Sequence, residues 1–460
     1  MNKRLSSKQI LIVASTLFGM IFGAGNLIFP VHMGQLAGSN FISATLGFVI
    51  TGVGIPILGI IAIGYSESKG LFSLTSKVGK YFAYIYTMIL YLAIGPMCVM
   101  PRSASIAYGS GLSTIIGDSF NQDIAFLIFS IIFFAITLFF SLKPSGITTS
   151  VGKIINPIFL IFLFFLIFVA LLNPLANVFE VQPTAEYETQ PFFYGFIQGY
   201  GTMDALAGLA FGIILIDIVK RMGSREPSAI TKNIMIPSVL TGCLMMTIYT
   251  LTIIMGVESR GAFDISSNGS IALSQISNNY FGIWGDIVLT TIVTLGALKT
   301  SIGLVTSCSA TFFEMLPGKK ISYHAWCVIC VVMGISISNI GLDNILTFTQ
   351  PILSFLCPLA IVIIIMAFVC KRFNYSKVIY QWTIYITCIP ALFDLLRTLP
   401  LQVIESLNLG GVIDFGRAIF PFMDIGFAWV IPAAIGFLIG IIIYAYKKSS
   451  RGKIERLKKN

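Results

Sequence analysis

Charge is scarce in this sequence. Only 10% of its 460 residues are Asp, Glu, Lys or Arg, while 56% are hydrophobic. A soluble globular chain carries roughly a quarter charged residues, so an ordinary soluble domain is excluded. Histidine is nearly absent: the two present, His32 and His324, sit near the ends of apolar runs. With no paired carboxylates inside those runs, no catalytic or metal constellation can be assembled. The expectation is a protein that is not an enzyme and holds no cofactor. The eight cysteines lie almost entirely within apolar segments, where they act as small hydrophobes, so no extracellular disulfide framework is visible. Cys327 and Cys330 form a CxxC, but no His or carboxylate neighbours complete a redox or metal site there. Low-complexity tracts and long linkers are also missing; the longest polar connection, residues 173 to 190, is acidic. Repeated filter segments and charged rings, the marks of a channel, do not occur.

What the chain does have is a series of apolar runs of membrane length. Twelve are legible, at about 10–32, 40–64, 80–110, 122–142, 151–172, 191–218, 233–257, 281–313, 322–340, 343–370, 377–399 and 426–446. The fold class expected is an all-α polytopic membrane protein of about 12 transmembrane helices, forming one domain over residues 1–460. The first run follows a basic start, as in a signal peptide. It continues into Gly23, Gly25, Asn26 and Pro30 rather than a small-residue cleavage site, so it reads as a retained span.

The net charge of +10 sorts by side. With the N-terminus cytoplasmic, 24 of the 29 Lys and Arg residues fall on inside segments, seven of them in the tail at 447–460. Arg102, Arg260, Arg397 and Arg417 fall outside or at outer span ends, and Lys299 falls within a span. This is the positive-inside pattern, with both termini cytoplasmic and an even number of spans. The basic balance then reflects orientation in a plasma membrane with anionic headgroups, not nucleic-acid binding. Nothing in the sequence calls for an obligate protein partner.

Two of the runs carry Gly-rich interruptions beside polar residues: FGMIFGAGNLIFP at 18–30 in the first, and GFIQGYGTMDALAG at 195–208 in the sixth. Two broken spans at matching positions five helices apart point to an inverted repeat, because five is odd. The competing reading is helix packing, since Gly19 with Gly23, Gly195 with Gly199, and Gly208 with Gly212 all have GxxxG spacing. Packing alone leaves Asn26, Gln198, Thr202 and Asp204 unexplained. An unwound helix in hydrocarbon strands amides and carbonyls, each costing several kcal/mol unless something satisfies it. The N-terminal end of a half-helix suits a carboxylate and the C-terminal end suits an ammonium or a metal cation. An amino acid offers both. The amides of Ala24, Gly25 and Asn26 are therefore expected to hold a substrate carboxylate, and carbonyls and the hydroxyl near Tyr200, Gly201 and Thr202 its amine. Asp204, the acid deep in the sixth span, either neutralises the ammonium, titrates with transport, or makes a structural hydrogen bond in a wet cavity.

In the eighth run, Ala297, Thr300, Ser301 and Leu304 share one helical face. Its two hydroxyls suit a hard cation, or else bond back to their own helix. Lys299 beside them is too deep to reach the interface easily; it either pairs with a carboxylate or takes part in proton coupling.

FGAGNLIFP at 22–30, GYGTMDALAGLAFG at 199–212 and TSIGL at 300–304 together resemble the branched-chain amino acid:cation symporter family, the bacterial system II carriers, over nearly the whole chain. That family is similar to the wider group with the LeuT fold. The resemblance implies a 5+5 inverted repeat (about 10–172 and 191–370) plus two extra helices (about 377–399 and 426–446). It implies cation-coupled symport of leucine, isoleucine or valine by alternating access. It also implies a coupling-ion site on carbonyls of Gly19, Phe22 and Ala297 and hydroxyls of Thr300 and Ser301. Lys299 departs from a purely sodium-coupled pattern, so the ion stays open between Na+ and H+. An ion-coupled carrier of a different small solute, another amino acid or a nucleobase, is the alternative.

Overall fold

The computed structural model describes residues 5–117, 120–143, 146–224, 226–316 and 321–457. Helices and their connections account for all of it; no strand occurs among the described residues. The helices that matter below are α1 (Ser7–Ile21), α2 (Gly25–Ala37), α3 (Phe41–Val49), α4 (Ile55–Tyr65), α5 (Lys80–Leu92), α6 (Val99–Ala107), α7 (Gln122–Ser141), α8 (Asn156–Leu172), α9 (Pro191–Gly201), α10 (Asp204–Arg221), α11 (Pro227–Ser259), α12 (Gly269–Phe281), α13 (Ile283–Met315), α14 (Tyr323–Ser338), α15 (Leu342–Val369), α16 (Lys377–Arg397) and α17 (Val430–Leu457). Their starts are written locally. Ser6 and Gln9 form a reciprocal capping box on α1. Asn121, Asn268 and Ser322 accept first-turn amides at α7, α12 and α14.

Among the described residues nine helices are long and apolar enough to cross a membrane, or ten when the bent pair α9–α10 is taken as one span. Against the twelve expected segments, α1 and α14 are shorter, at 15 and 16 residues. Residues 25–65 run as one helical stretch of 41 residues, joining the end of the first expected segment to the second. The last helix continues past 447 into the basic segment, as far as Leu457. Lys3, Arg4, Arg225, Lys319, Lys320, Lys458 and Lys459, counted above for orientation, lie outside the described residues.

Packing around the sixth span follows its glycines. An added Cβ at Gly195 would stand 2.1 Å from the Ala44 carbonyl, at Gly199 1.9 Å from the Thr51 hydroxyl, and at Gly208 2.3 Å from the Pro56 carbonyl. One small-residue stripe therefore lays α9 and α10 along α3 and α4, so the GxxxG spacing does serve packing. The polar residues beside it face elsewhere. On the other side, Phe18 and Phe22 of the first span stack 4.8 Å apart and meet Phe159 of α8 and Tyr249 of α11. The outward faces of α7 and α8 are greasy, with Ile131, Ile132, Ile161 and Phe168 exposed, as lipid-facing helices require.

Candidate functional site

Both interrupted spans are broken where the glycines stand, each by a different device. At the end of α1, Phe22 turns extended (φ −77°, ψ 95°) while its amide still reaches Phe18 O. The chain resumes helix at Gly25, and the Gly23 amide donates to Asn26 Oδ1 at 2.8 Å. In the sixth span Met203 adopts a left-handed conformation (φ 64°), and the axis bends by 42°. The Thr202 hydroxyl donates to Gly199 O at 2.8 Å and accepts the Asp204 amide at 3.3 Å, closing both sides of that break. It is thus engaged by its own backbone rather than free for an amine.

The two breaks are joined by one carboxylate oxygen. Asp204 Oδ2 accepts from Asn26 Nδ2 at 2.6 Å and from the Tyr249 hydroxyl at 2.6 Å, and Asn26 Nδ2 also contacts the Tyr249 oxygen. All three side chains are buried. Asp204 thus ties the first turn of α2 to the first turn of α10 and to α11. Tyr249 is a member of this cluster that the sequence did not reveal, since nothing distinguishes it from other span tyrosines.

Between the breaks lies a cavity of about 20 Å³, room for about one water. Its polar wall is Asn26, Arg102, Ser103, Thr202, Asp204 and Thr300, with Gly23 and Gly25; its apolar wall includes Ile21, Ile94, Val99, Ala207 and Leu304. Of the expected substrate residues, Gly25, Asn26, Thr202 and Asp204 line it, with Ala24 next in chain. Tyr200 and Gly201 do not: the Tyr200 carbonyl takes the Met203 amide and its ring packs on Phe196, and Gly201 O accepts from Arg102, which does line the cavity. Among the described residues no hydrogen bond engages the Ala24 or Gly25 amide; Gly25 lines the cavity, while the Ala24 nitrogen stands toward α13, 3.6 Å from where a Cβ on Gly296 would lie.

Arg102 is the correction. Hydropathy assigned it to an outer span end, but it is 2% exposed and donates from Nη1 to Gly201 O at 2.9 Å. Its chain breaks helix at Gly95, before Pro96, and restarts at Val99, which aims α6 into the site. A charged residue within a 31-residue apolar stretch was the available signal.

The second cluster sits where the end of α1 meets α13. Thr300 Oγ1 and Ser301 Oγ are buried without a hydrogen-bond partner, contrary to the reading in which they bond back to their helix. A Cβ on Gly23 would lie 2.8 Å from Thr300 Oγ1, so this face of α13 abuts the first break. No hydrogen bond reaches the carbonyls of Gly19 or Phe22 among the described residues. Four of the five expected ligands are therefore unsatisfied oxygens, and Ala297 lies one turn before Ser301 on the same helix face. Lys299 points away from Thr300 to the α8 side. It pairs with no carboxylate among the described residues; its ammonium donates to Asn156 Oδ1 at 3.0 Å and lies 3.5 Å from the Phe159 ring centre.

Comparison with known proteins follows the same lines. The family described as branched-chain amino acid transport protein matches residues 6–447. A branched-chain amino acid permease of Lactobacillus delbrueckii subsp. lactis is 40% identical, over 95% of this chain and 97% of the relative. One from Bacillus subtilis is 36% identical, over 97% and 99%. Among solved structures, a nucleobase-cation-symport-1 family transporter, closed with bromovinylhydantoin bound, has a TM-score of 0.63 at 13% identity, covering 96% of this chain and 93% of that one. MhsT in complex with L-phenylalanine has a TM-score of 0.53 at 17% identity, covering 96% and 99%. At such identities the likeness is one of fold, and the fold is of the LeuT type.

Proposed function

The chain belongs to the family of branched-chain amino acid transport proteins, and from that premise we propose that it takes up leucine, isoleucine or valine by cation-coupled symport. One observation carries the reading: two helix breaks meet across a single cavity with opposite backbone polarity. The free Gly25 amide and the positive dipole end of α2 suit the substrate carboxylate, and Gly201 O at the end of α9 suits its ammonium. Ile21, Ile94, Val99 and Leu304 offer an aliphatic wall for the side chain. A cavity this small must widen to admit an amino acid, which fits alternating access.

In this reading Gly19, Phe22, Ala297, Thr300 and Ser301 hold a coupling cation, sodium by their oxygen chemistry. Lys299, buried without a counter-ion, is the group through which a proton would couple instead. The helices up to residue 172 and from 191 to 370 form the two inverted repeats, and the excess of inside Lys and Arg supports cytoplasmic termini in the plasma membrane.

Competition tests the substrate class. In proteoliposomes of the purified protein, isoleucine and valine should displace labelled leucine at comparable concentrations. Alanine, short of several methyl and methylene groups, should need at least about tenfold more. Displacement by a nucleobase, with isoleucine and valine inert, would move the substrate to the alternative class.

A further inference from the structure

The site described above has a resident cation. Arg102 is almost wholly buried and forms no salt bridge among the described residues. Its Nε has no hydrogen-bond partner. Nη1 is held by Gly201 O at 2.9 Å, the carbonyl suited to a substrate ammonium. Nη2 lies against the other break, 3.0 Å from where a Cβ on Gly25 would stand, and the guanidinium carbon is 5.2 Å from the Phe29 ring centre. Asp204 lines the same cavity but its Oδ2 is taken by Asn26 and Tyr249, and it forms no ion pair with Arg102; a buried guanidinium with no direct carboxylate contact asks for a further anion. The unpaired Gly25 amide stands beside Nη2, at the start of α2, and offers such an anion a place.

Building on the proposed function, we propose that Arg102 is a positioning residue that occupies the ammonium subsite while the site is empty and turns to grip the carboxylate of the incoming amino acid. With solute absent, its fork stands in for the ammonium on Gly201 O, so the unwound end of α9 keeps a partner. When a zwitterion enters, the carboxylate settles on the Gly25 amide and takes the guanidinium as counter-charge, which frees Gly201 O for the ammonium. The exchange admits only solutes with both groups. A cation lacking the carboxylate meets Arg102 as a competitor and as a like charge; an acid lacking the amine leaves Gly201 O bare once the guanidinium has moved.

The test compares equilibrium binding of leucine and of leucinamide, which keeps the ammonium but not the carboxylate, to the purified full-length protein and to Arg102→Gln. The expected pattern has opposite signs: leucine weakens about tenfold to a hundredfold, the range for a charge-assisted pair, while leucinamide binds at least as well as to the wild type. A merely structural arginine would weaken both together, and that result, or unchanged leucine binding, overturns the proposal. Arg102→Lys carries the same comparison where the glutamine variant fails to fold. Its single ammonium cannot reproduce the planar fork, so leucine should still weaken several-fold with leucinamide unaffected, and equal weakening again overturns it. Wild-type protein that binds none of leucine, isoleucine and valine would instead refute the proposed substrate, a result separable from any variant.

Discussion

Asp204→Asn should lower leucine uptake by about a hundredfold with the protein still folded. One oxygen of Asp204 accepts from both Asn26 and Tyr249, and so bonds the two broken spans to each other at the breaks and to α11. An asparagine in its place keeps the shape and one acceptor but removes the charge that strengthens both bonds, each worth about 1.5–3 kcal/mol when a charged group takes part. It also deprives the cavity of the sole carboxylate in its lining, leaving Arg102 with no negative group nearby. Uptake of labelled leucine, normalised to protein recovered as a monodisperse peak, measures the effect. Activity close to wild type would mean that Asp204 acts as a neutral hydrogen-bonding strut and that its charge has no part in transport.

The second large effect is expected at the junction of α1 and α13. Thr300→Ala and Ser301→Ala should each raise the cation concentration needed for half-maximal uptake by at least about tenfold, comparable with the effects of disturbing the surroundings of a bound metal. Thermal stability in cation-free buffer should stay level or rise. The signs differ because these hydroxyls are buried without protein partners: removing an unsatisfied polar group relieves a desolvation penalty, whereas removing an ion ligand weakens ion binding. A hydroxyl serving only the fold would show the reverse, lower stability and unchanged cation dependence. Where a proton is the coupling ion, Thr300→Ala leaves the driving force intact and Lys299→Met removes it.

Much of this architecture was legible because lipid imposes simple rules. Long apolar runs had to be helices, basic residues had to favour one side, and Gly-rich interruptions with polar neighbours had to be satisfied by something. Asn26 and Asp204 were singled out by that last rule, and Thr300 and Ser301 by the hydroxyl-bearing face of the eighth run and the family resemblance. Side-chain direction was not legible. Thr202 looked like a ligand but closes its own break, and Tyr200 turns to Phe196. Arg102 was assigned to a membrane edge because hydropathy measures distance along the chain, whereas the helix break at Gly95 decides where α6 points. Lys299 read as either half of an ion pair or a group for proton coupling; its partners are an amide oxygen and aromatic faces, an environment that leaves no trace in local spacing. The helix count was softened by the same limits, since α1 ends at the first break and α14 is short for a span.

The most direct measurement is labelled leucine uptake into proteoliposomes with inward sodium and inward proton gradients imposed separately. Cation-coupled symport predicts that one gradient drives leucine above its outside concentration and that dissipating that gradient with an ionophore releases the excess. Leucine that only equilibrates under both gradients would contradict coupling and leave a passive carrier.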